Sequence, residues 1–202
     1  VAAALACVGV LYLAGEGAHF GKQGGRLPWH SVMLLAPYLL AARLNVWAWT
    51  RRLPVGAEIT PGIFLGRQPD ANTIAHHKIR HVLDLCAELP RPARHIPGSD
   101  HPMLDLLRPT PQALQQAAHA IEQARHSGPV WVCCALGFSR SAQAALVWLM
   151  HYQQQSLQEA LATLRQARPQ VVLSAATLEM LATLEKRNGD CTCPTPPDLK
   201  PD

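Results

Sequence analysis

Charge is scarce in this sequence. Asp, Glu, Lys and Arg make up 16% of its 202 residues against 49% hydrophobic ones, a balance that excludes a solvated, disordered chain and describes a core-forming one with some membrane character. The length suffices for one good-sized domain with accessory segments. Neither sign of charge dominates. A net charge of +4 suits an anionic substrate or an anionic lipid surface, but no basic stripe interleaved with aromatics is present, so nucleic acid is not an expected partner. Cysteine lacks pattern: Cys7, Cys86, Cys133, Cys134, Cys191 and Cys193 do not follow the spacing of a secreted disulfide framework. Cys191 and Cys193 form a lone C-x-C with no second pair of ligands nearby, so no metal is expected there and residues 188–202 read as a flexible Pro-rich tail. No internal repeat is evident.

An initiating methionine is also missing, which points to a piece of a longer precursor or to processing. The opening VAAALACVGVLYLAG has no basic residues before it, unlike a signal peptide, and is short for a full span. It is expected to be the end of a transmembrane helix that starts upstream. A second apolar stretch, SVMLLAPYLLAARLNVWAW, contains Pro37, Arg43 and Asn45, which make spanning less comfortable. Trp29, Trp47 and Trp49 flank it, as in a segment at the lipid–water interface; a helix packed on the soluble part is the alternative. Lys22, Arg26, Arg51 and Arg52 follow the first segment and place the remainder on the cytoplasmic side. Residues 1–54 thus read as a membrane-associated segment.

The linker TRRLPVGAEITPG leads into a compact domain, residues 55–187. Ile63 to Gly66 reads as a short strand, Asp70 to Ile79 as a helix and His81 to Cys86 as a buried strand. Glu88 to Pro102 reads as a long, non-passive loop. Thr110-Pro111 opens a helix with Leu114, Ala117, Ala118 and Ile121 on one face, closed by Gly128. Val130 to Cys133 is the next strand, followed by a helix from near Ser141. Ser156 and Glu159 form a capping box for a helix to about Arg168, and a last helix runs from about Ser174 to Arg187. Alternating strands and helices predict an α/β domain with a central, mostly parallel sheet flanked by helices.

The stretch VWVCCALGFSRS then places a cysteine, an arginine and two serines on one loop between a strand and a helix N-terminus. Unpaired N–H groups at such a terminus favour an anion, and a cysteine there is expected to ionise below the free value of about 8.5. Arg140 offers a planar fork for two phosphate oxygens. Gly137 lets loop N–H groups turn inward, and Ser141 can donate to the sulfur as it leaves. These parts fit attack by Cys134 on phosphorus with a phosphocysteine intermediate; Ala135, Leu136, Gly137, Phe138 and Ser139 would surround the phosphate. The plain alternative makes Cys133 and Cys134 small apolar residues ending a strand.

CALGFSRSA resembles the loop of the cysteine-based phosphatases, C-x-x-x-x-x-R-S/T, and especially the dual specificity branch, where HC-x-x-G-x-x-R-S-A is usual. ITPGIFLGRQPDA, HPMLDLLRPTPQ and SLQEALATLRQARPQVVLS resemble that family's opening strands, general-acid loop and late Arg-Pro turn. The N-terminal region resembles bacterial members in which a membrane domain precedes the phosphatase. The resemblance implies a sheet flanked by helices, no cofactor, and Asp105 as general acid and later base, with Asp100 as its rival. Two departures stand out. Cys133 replaces the usual histidine, which implies a higher working pH. The loop interior lacks the Lys or Arg of relatives that act on inositol phospholipids, which implies a preference for substrates with one phosphate, although Arg91, Arg94, His95 and Arg108 stand in neighbouring loops. The implied function is a membrane-tethered phosphatase acting on phosphoprotein or on a phospholipid head group such as phosphatidylglycerophosphate. Competing readings are an inactive phosphate-binding module and a redox protein using Cys133-Cys134, though adjacent cysteines close a strained ring and lack C-x-x-C spacing.

Overall fold

A computed structural model describes residues 2–15, 20–91 and 94–190; residues 191–202, with Cys191 and Cys193, lie outside the described residues, while the last helix takes in residues 188–190 of the stretch read as a tail. Two helices come first, α1 (Ala2–Ala14) and α2 (Trp29–Thr50). The α/β part follows as β1 (Gly56–Thr60), β2 (Ile63–Arg67), α3 (Ala71–His76), β3 (His81–Cys86), β4 (Gly98–Met103), α4 (Pro111–Arg125), β5 (Val130–Cys134), α5 (Arg140–Tyr152), α6 (Leu157–Ala167) and α7 (Ala175–Asp190).

The five strands form one sheet in the order β1-β2-β5-β3-β4, with only β1 and β2 antiparallel. The mixed but mostly parallel sheet is the one the strand–helix alternation predicts. Its core divides by the period-two alternation of strands. Ile63, Leu65, Leu83, Leu85, Val130, Val132 and Cys134 face the layer of α4, α5, α6 and α7. Phe64, Val82, Trp131 and Cys133 face the other side, with Ile74 and Ile79. β5 lies between β2 and β3, so its C-terminal end opens near the middle of the sheet, where a ligand site is usual in this class of fold.

Local chemistry accounts for the helix starts. Thr110 accepts from the Ala113 N–H ahead of Pro111, and Ser156 and Glu159 form the reciprocal capping box. Asp70 caps α3 by accepting from Thr73, but that helix stops after six residues at His76, short of the expected Ile79. Two further elements differ from expectation. β1 occupies the stretch read as a linker, and β4 lies inside the stretch read as a loop. Neither advertises itself by apolar content: GAEIT and GSDHPM are edge strands, only partly buried, and each is stabilised by pairing with one neighbour. The helix ahead of β5 ends at Arg125 rather than Gly128, and the one after it begins at Arg140, beside Ser141 as expected.

The N-terminal segment packs on the end of the sheet nearest the Cys134 loop. Phe20, Leu27, Leu35 and Leu39 form one apolar cluster with Cys86, Ala87, Leu89, Leu104 and Ala135. Lys22 enters beneath them: its Nζ donates to Asp84 Oδ2 at 2.7 Å and to the carbonyls of Cys86 and Leu89 at 2.7 and 2.8 Å. Helix α2 runs unbroken past Pro37. Among the described residues it is the one helix long and apolar enough to cross a membrane, whereas α1 is shorter. One face of α2 is packed on the domain, while Met33, Leu40, Leu44, Trp47 and Trp49 are exposed.

Candidate active site

Strand β5 delivers Cys134 to the sheet's C-terminal edge, a five-residue loop turns the chain, and α5 opens with Arg140. The turn requires Gly137. Its φ is +73°, and a Cβ there would stand 2.2 Å from the carbonyl carbon of Gly66, so both conformation and space exclude a side chain. The Gly137 N–H points at Cys134 Sγ, 3.2 Å away, and Ser141 Oγ lies 3.3 Å from the same sulfur. Ser139, the N-cap of α5, makes no side-chain cap and instead accepts from Gln143 at 3.0 Å. The first N–H groups of α5 therefore remain for an anion. Ala135 is packed against α2's cluster, while Leu136, Phe138 and Ser139 are half-buried. The loop offers backbone N–H groups and no charge.

Arg140 is 2% exposed. Its Nη1 donates to Glu88 Oε2 at 2.8 Å and to the Met103 carbonyl at 2.9 Å, and its Nη2 donates to Glu88 Oε1 at 2.7 Å. Burial would raise the Glu88 pKa, but the guanidinium outweighs it by charge and hydrogen bonding, leaving the carboxylate below its ordinary range. Burial likewise opposes the charge of Arg140, and Glu88 more than compensates. Arg140 Nε is buried and without a partner. The edge of the fork not held by Glu88 thus keeps an N–H for an oxygen of a bound anion.

Asp105 stands at the rim, its side chain 37% exposed, with Oδ1 3.4 Å from Arg140 Nη2. Asp100 is occupied elsewhere, accepting the Gly25 N–H at 2.6 Å. Geometry therefore brings Asp105, and not its rival, to the loop. Cys133 belongs to the opposite face of the sheet, wholly buried, and burial pushes its thiol well up. It occupies the usual histidine's position as a neutral thiol that can bring no positive charge there, and it faces away from Cys134, which removes the geometric basis for a redox pair.

Two site residues escaped the sequence reading. Glu88 stands two residues past the buried strand β3, at the head of a stretch that reads as a loop. Arg168 donates from Nε to the Gly137 carbonyl at 3.0 Å, with its guanidinium over the Phe138 ring at 5.9 Å, and so braces the loop from below. The Arg-Pro turn marked its place but not its purpose.

Residues 63–187 match the family model described as "Dual specificity phosphatase, catalytic domain". The chain belongs to the dual specificity phosphatase family, and residues 63–187 carry the catalytic domain of a phosphatase enzyme. Among curated relatives, the dual specificity protein phosphatase Mpk3 of Drosophila melanogaster is 33% identical over 159 residues, 69% of this chain and 38% of its own length. A MAP kinase phosphatase with leucine-rich repeats from Dictyostelium discoideum is 32% identical over 58% of this chain and 14% of its own. The chain thus spans well under half of these relatives. Among solved structures, Tk-PTP in its active form is 27% identical with a TM-score of 0.59, covering 67% of this chain and 99% of that one. PTPMT1 in complex with PI(5)P shares the fold at 18% identity and a TM-score of 0.59, covering 67% and 97%.

Proposed function

We propose that this dual specificity phosphatase domain hydrolyses phosphomonoesters through a phosphocysteine formed on Cys134. The Cys134 thiolate attacks phosphorus; Arg140 and the loop N–H groups of residues 135–139 hold the non-bridging oxygens as charge moves onto them. Asp105 protonates the leaving oxygen, a contribution of about 10²–10⁴ in rate. Asp105 then takes a proton from water, whose oxygen attacks the phosphorus of the S–P bond. The sulfur leaves as thiolate, stabilised by Ser141 and the Gly137 N–H, and inorganic phosphate is released.

The observation that carries this reading is the buried Arg140 fork, fixed by Glu88 on one side and open at Nε, on the same short loop as Cys134. An inactive binding module would need no general acid at the rim. Release of phosphate from para-nitrophenyl phosphate, with acid trapping of phosphorylated Cys134, tests the reading; binding of phosphate without turnover would favour the module.

The substrate is proposed to be a phosphoprotein or a phospholipid, presented to a chain held at the membrane by its N-terminal segment, residues 1–54, with residues 55–187 on the cytoplasmic side. The apolar exposed surface of α2 supports the tether, and co-flotation of the chain with vesicles checks it.

A further inference from the structure

Lys22 precedes the stretch that matches the catalytic domain, yet its ammonium ends inside that domain. The side chain is wholly buried, and Nζ has three acceptors for its three protons: Asp84 Oδ2 at 2.7 Å, the Cys86 carbonyl at 2.7 Å and the Leu89 carbonyl at 2.8 Å. A counter-ion for a buried aspartate would need only the first of these contacts. The other two close on the backbone on either side of Glu88, which lies between Cys86 and Leu89. Asp84 completes the clasp: its Oδ1 accepts the Cys86 N–H at 2.9 Å, and its Oδ2 also accepts from Gln68 at 3.0 Å. One buried ammonium–carboxylate unit thus holds both the N–H and the carbonyl of Cys86 and the carbonyl of Leu89.

The turn held in this way carries the carboxylate that grips Arg140. A carboxylate can orient a guanidinium only as well as its own backbone is fixed. Cys86, Ala87 and Leu89 pack with Phe20 and Leu27 in one apolar cluster, but apolar burial is non-directional. Hydrogen bonds to a buried charge have direction, and they are costly to leave unmade. The segment around Lys22 is itself tied down: the Gly25 N–H donates to Asp100 Oδ2 at 2.6 Å, and the Gly25 carbonyl accepts the Arg91 N–H at 2.9 Å. Hydrogen bonds therefore link Lys22 to the turn and Glu88 to Arg140, with only the turn's own backbone between them.

We propose that Lys22 is a positioning residue for phosphoryl transfer: by clasping the Cys86–Leu89 turn it fixes Glu88, and through Glu88 the Arg140 fork. The proposal rests on the hydrolysis reading above and extends the catalytic unit upstream into the N-terminal segment. All three Lys22 protons are engaged by Asp84 and the turn, so its part in the reaction is indirect. With the clasp released, Arg140 keeps its charge and its bond to the Met103 carbonyl. It loses the fixed angle that matches the oxygens of the transition state, where a displacement of about 1 Å can cost about 10²-fold in rate.

Lys22→Met alone strands the Asp84 carboxylate, so the test joins it to Asp84→Asn, which removes that charge and keeps an oxygen for the Cys86 N–H. On para-nitrophenyl phosphate, the full chain carrying both changes is expected to lose roughly 10- to 100-fold in kcat, while KM moves less than about threefold. In the Arg140→Lys chain, where no fork remains to be oriented, the same two changes should cost less than about threefold more. A purely structural role would cost as much there as in the wild type. An unchanged kcat in the folded double variant, a loss confined to KM, or an equal loss in the Arg140→Lys background would overturn the proposal. So would failure of the double variant to fold, which assigns Lys22 to the fold alone. A second arm is independent of turnover. Calorimetric titration with orthovanadate should show binding to the double variant weaker than to the wild type by roughly tenfold. Should the wild type release no phosphate while that difference holds, the hydrolysis reading falls and the positioning role stands; equal vanadate affinity removes the positioning role whatever the turnover.

Discussion

Glu88 grips Arg140 with both carboxylate oxygens, at 2.7 and 2.8 Å, from the end of β3. The guanidinium is thereby oriented before any phosphate arrives. In the interior a bidentate pair of this kind is costly to break one-sidedly, because the remaining charge stays buried.

Glu88→Gln is therefore expected to lower unfolding free energy by about 3 kcal/mol near neutral pH. The pH dependence follows from the depressed folded-state pKa of Glu88. Its stabilisation is fully present above the unfolded value of about 4.3 and is lost as pH falls through the lower folded value. Urea titrations of both proteins should show a gap that is constant from neutral pH down to about 5 and closes only in more acid solution. A gap that closes between about pH 6 and 8 would assign the coupling to another group.

Arg140→Lys should retain the fold and lose most of the turnover, because a point charge cannot reproduce the fork. Comparable kcat in the lysine variant would show that charge alone suffices.

Asp105→Asn should reduce kcat strongly for aryl phosphates with basic leaving groups and little for those whose phenolate is already stable. The measurement is a leaving-group series. Equal losses across it, or a larger loss in Asp100→Asn, would place the acid elsewhere, against the engagement of Asp100 by the Gly25 N–H.

Lys22→Ala should destabilise the chain by roughly 3–5 kcal/mol, since it strands the wholly buried carboxylate of Asp84. Thermal or urea unfolding checks this. A change below about 1 kcal/mol would mean that the N-terminal segment is not anchored through that pair.

The sheet's central strands were legible because they are mainly apolar, Asp84 being the buried exception in β3, and α4 and α6 because Thr110-Pro111 and Ser156/Glu159 fix their starts by side-chain chemistry. The edge strands β1 and β4 were not, since pairing rather than burial holds residues such as Glu58 and Asp100 extended. At the site, Cys134, Arg140 and Ser141 share one short segment and could be read together. Glu88 and Arg168 reach the loop only through the fold, across 52 and 31 positions of sequence.

The most direct test of the account is single-turnover hydrolysis of para-nitrophenyl phosphate by wild type and Cys134→Ser, each quenched in acid and analysed by mass spectrometry. The account predicts phosphate on Cys134 in the wild type, and in the serine variant a native fold with no phosphate release. Phosphate release by Cys134→Ser near the wild-type rate, or a phosphorylated residue other than Cys134, would contradict it.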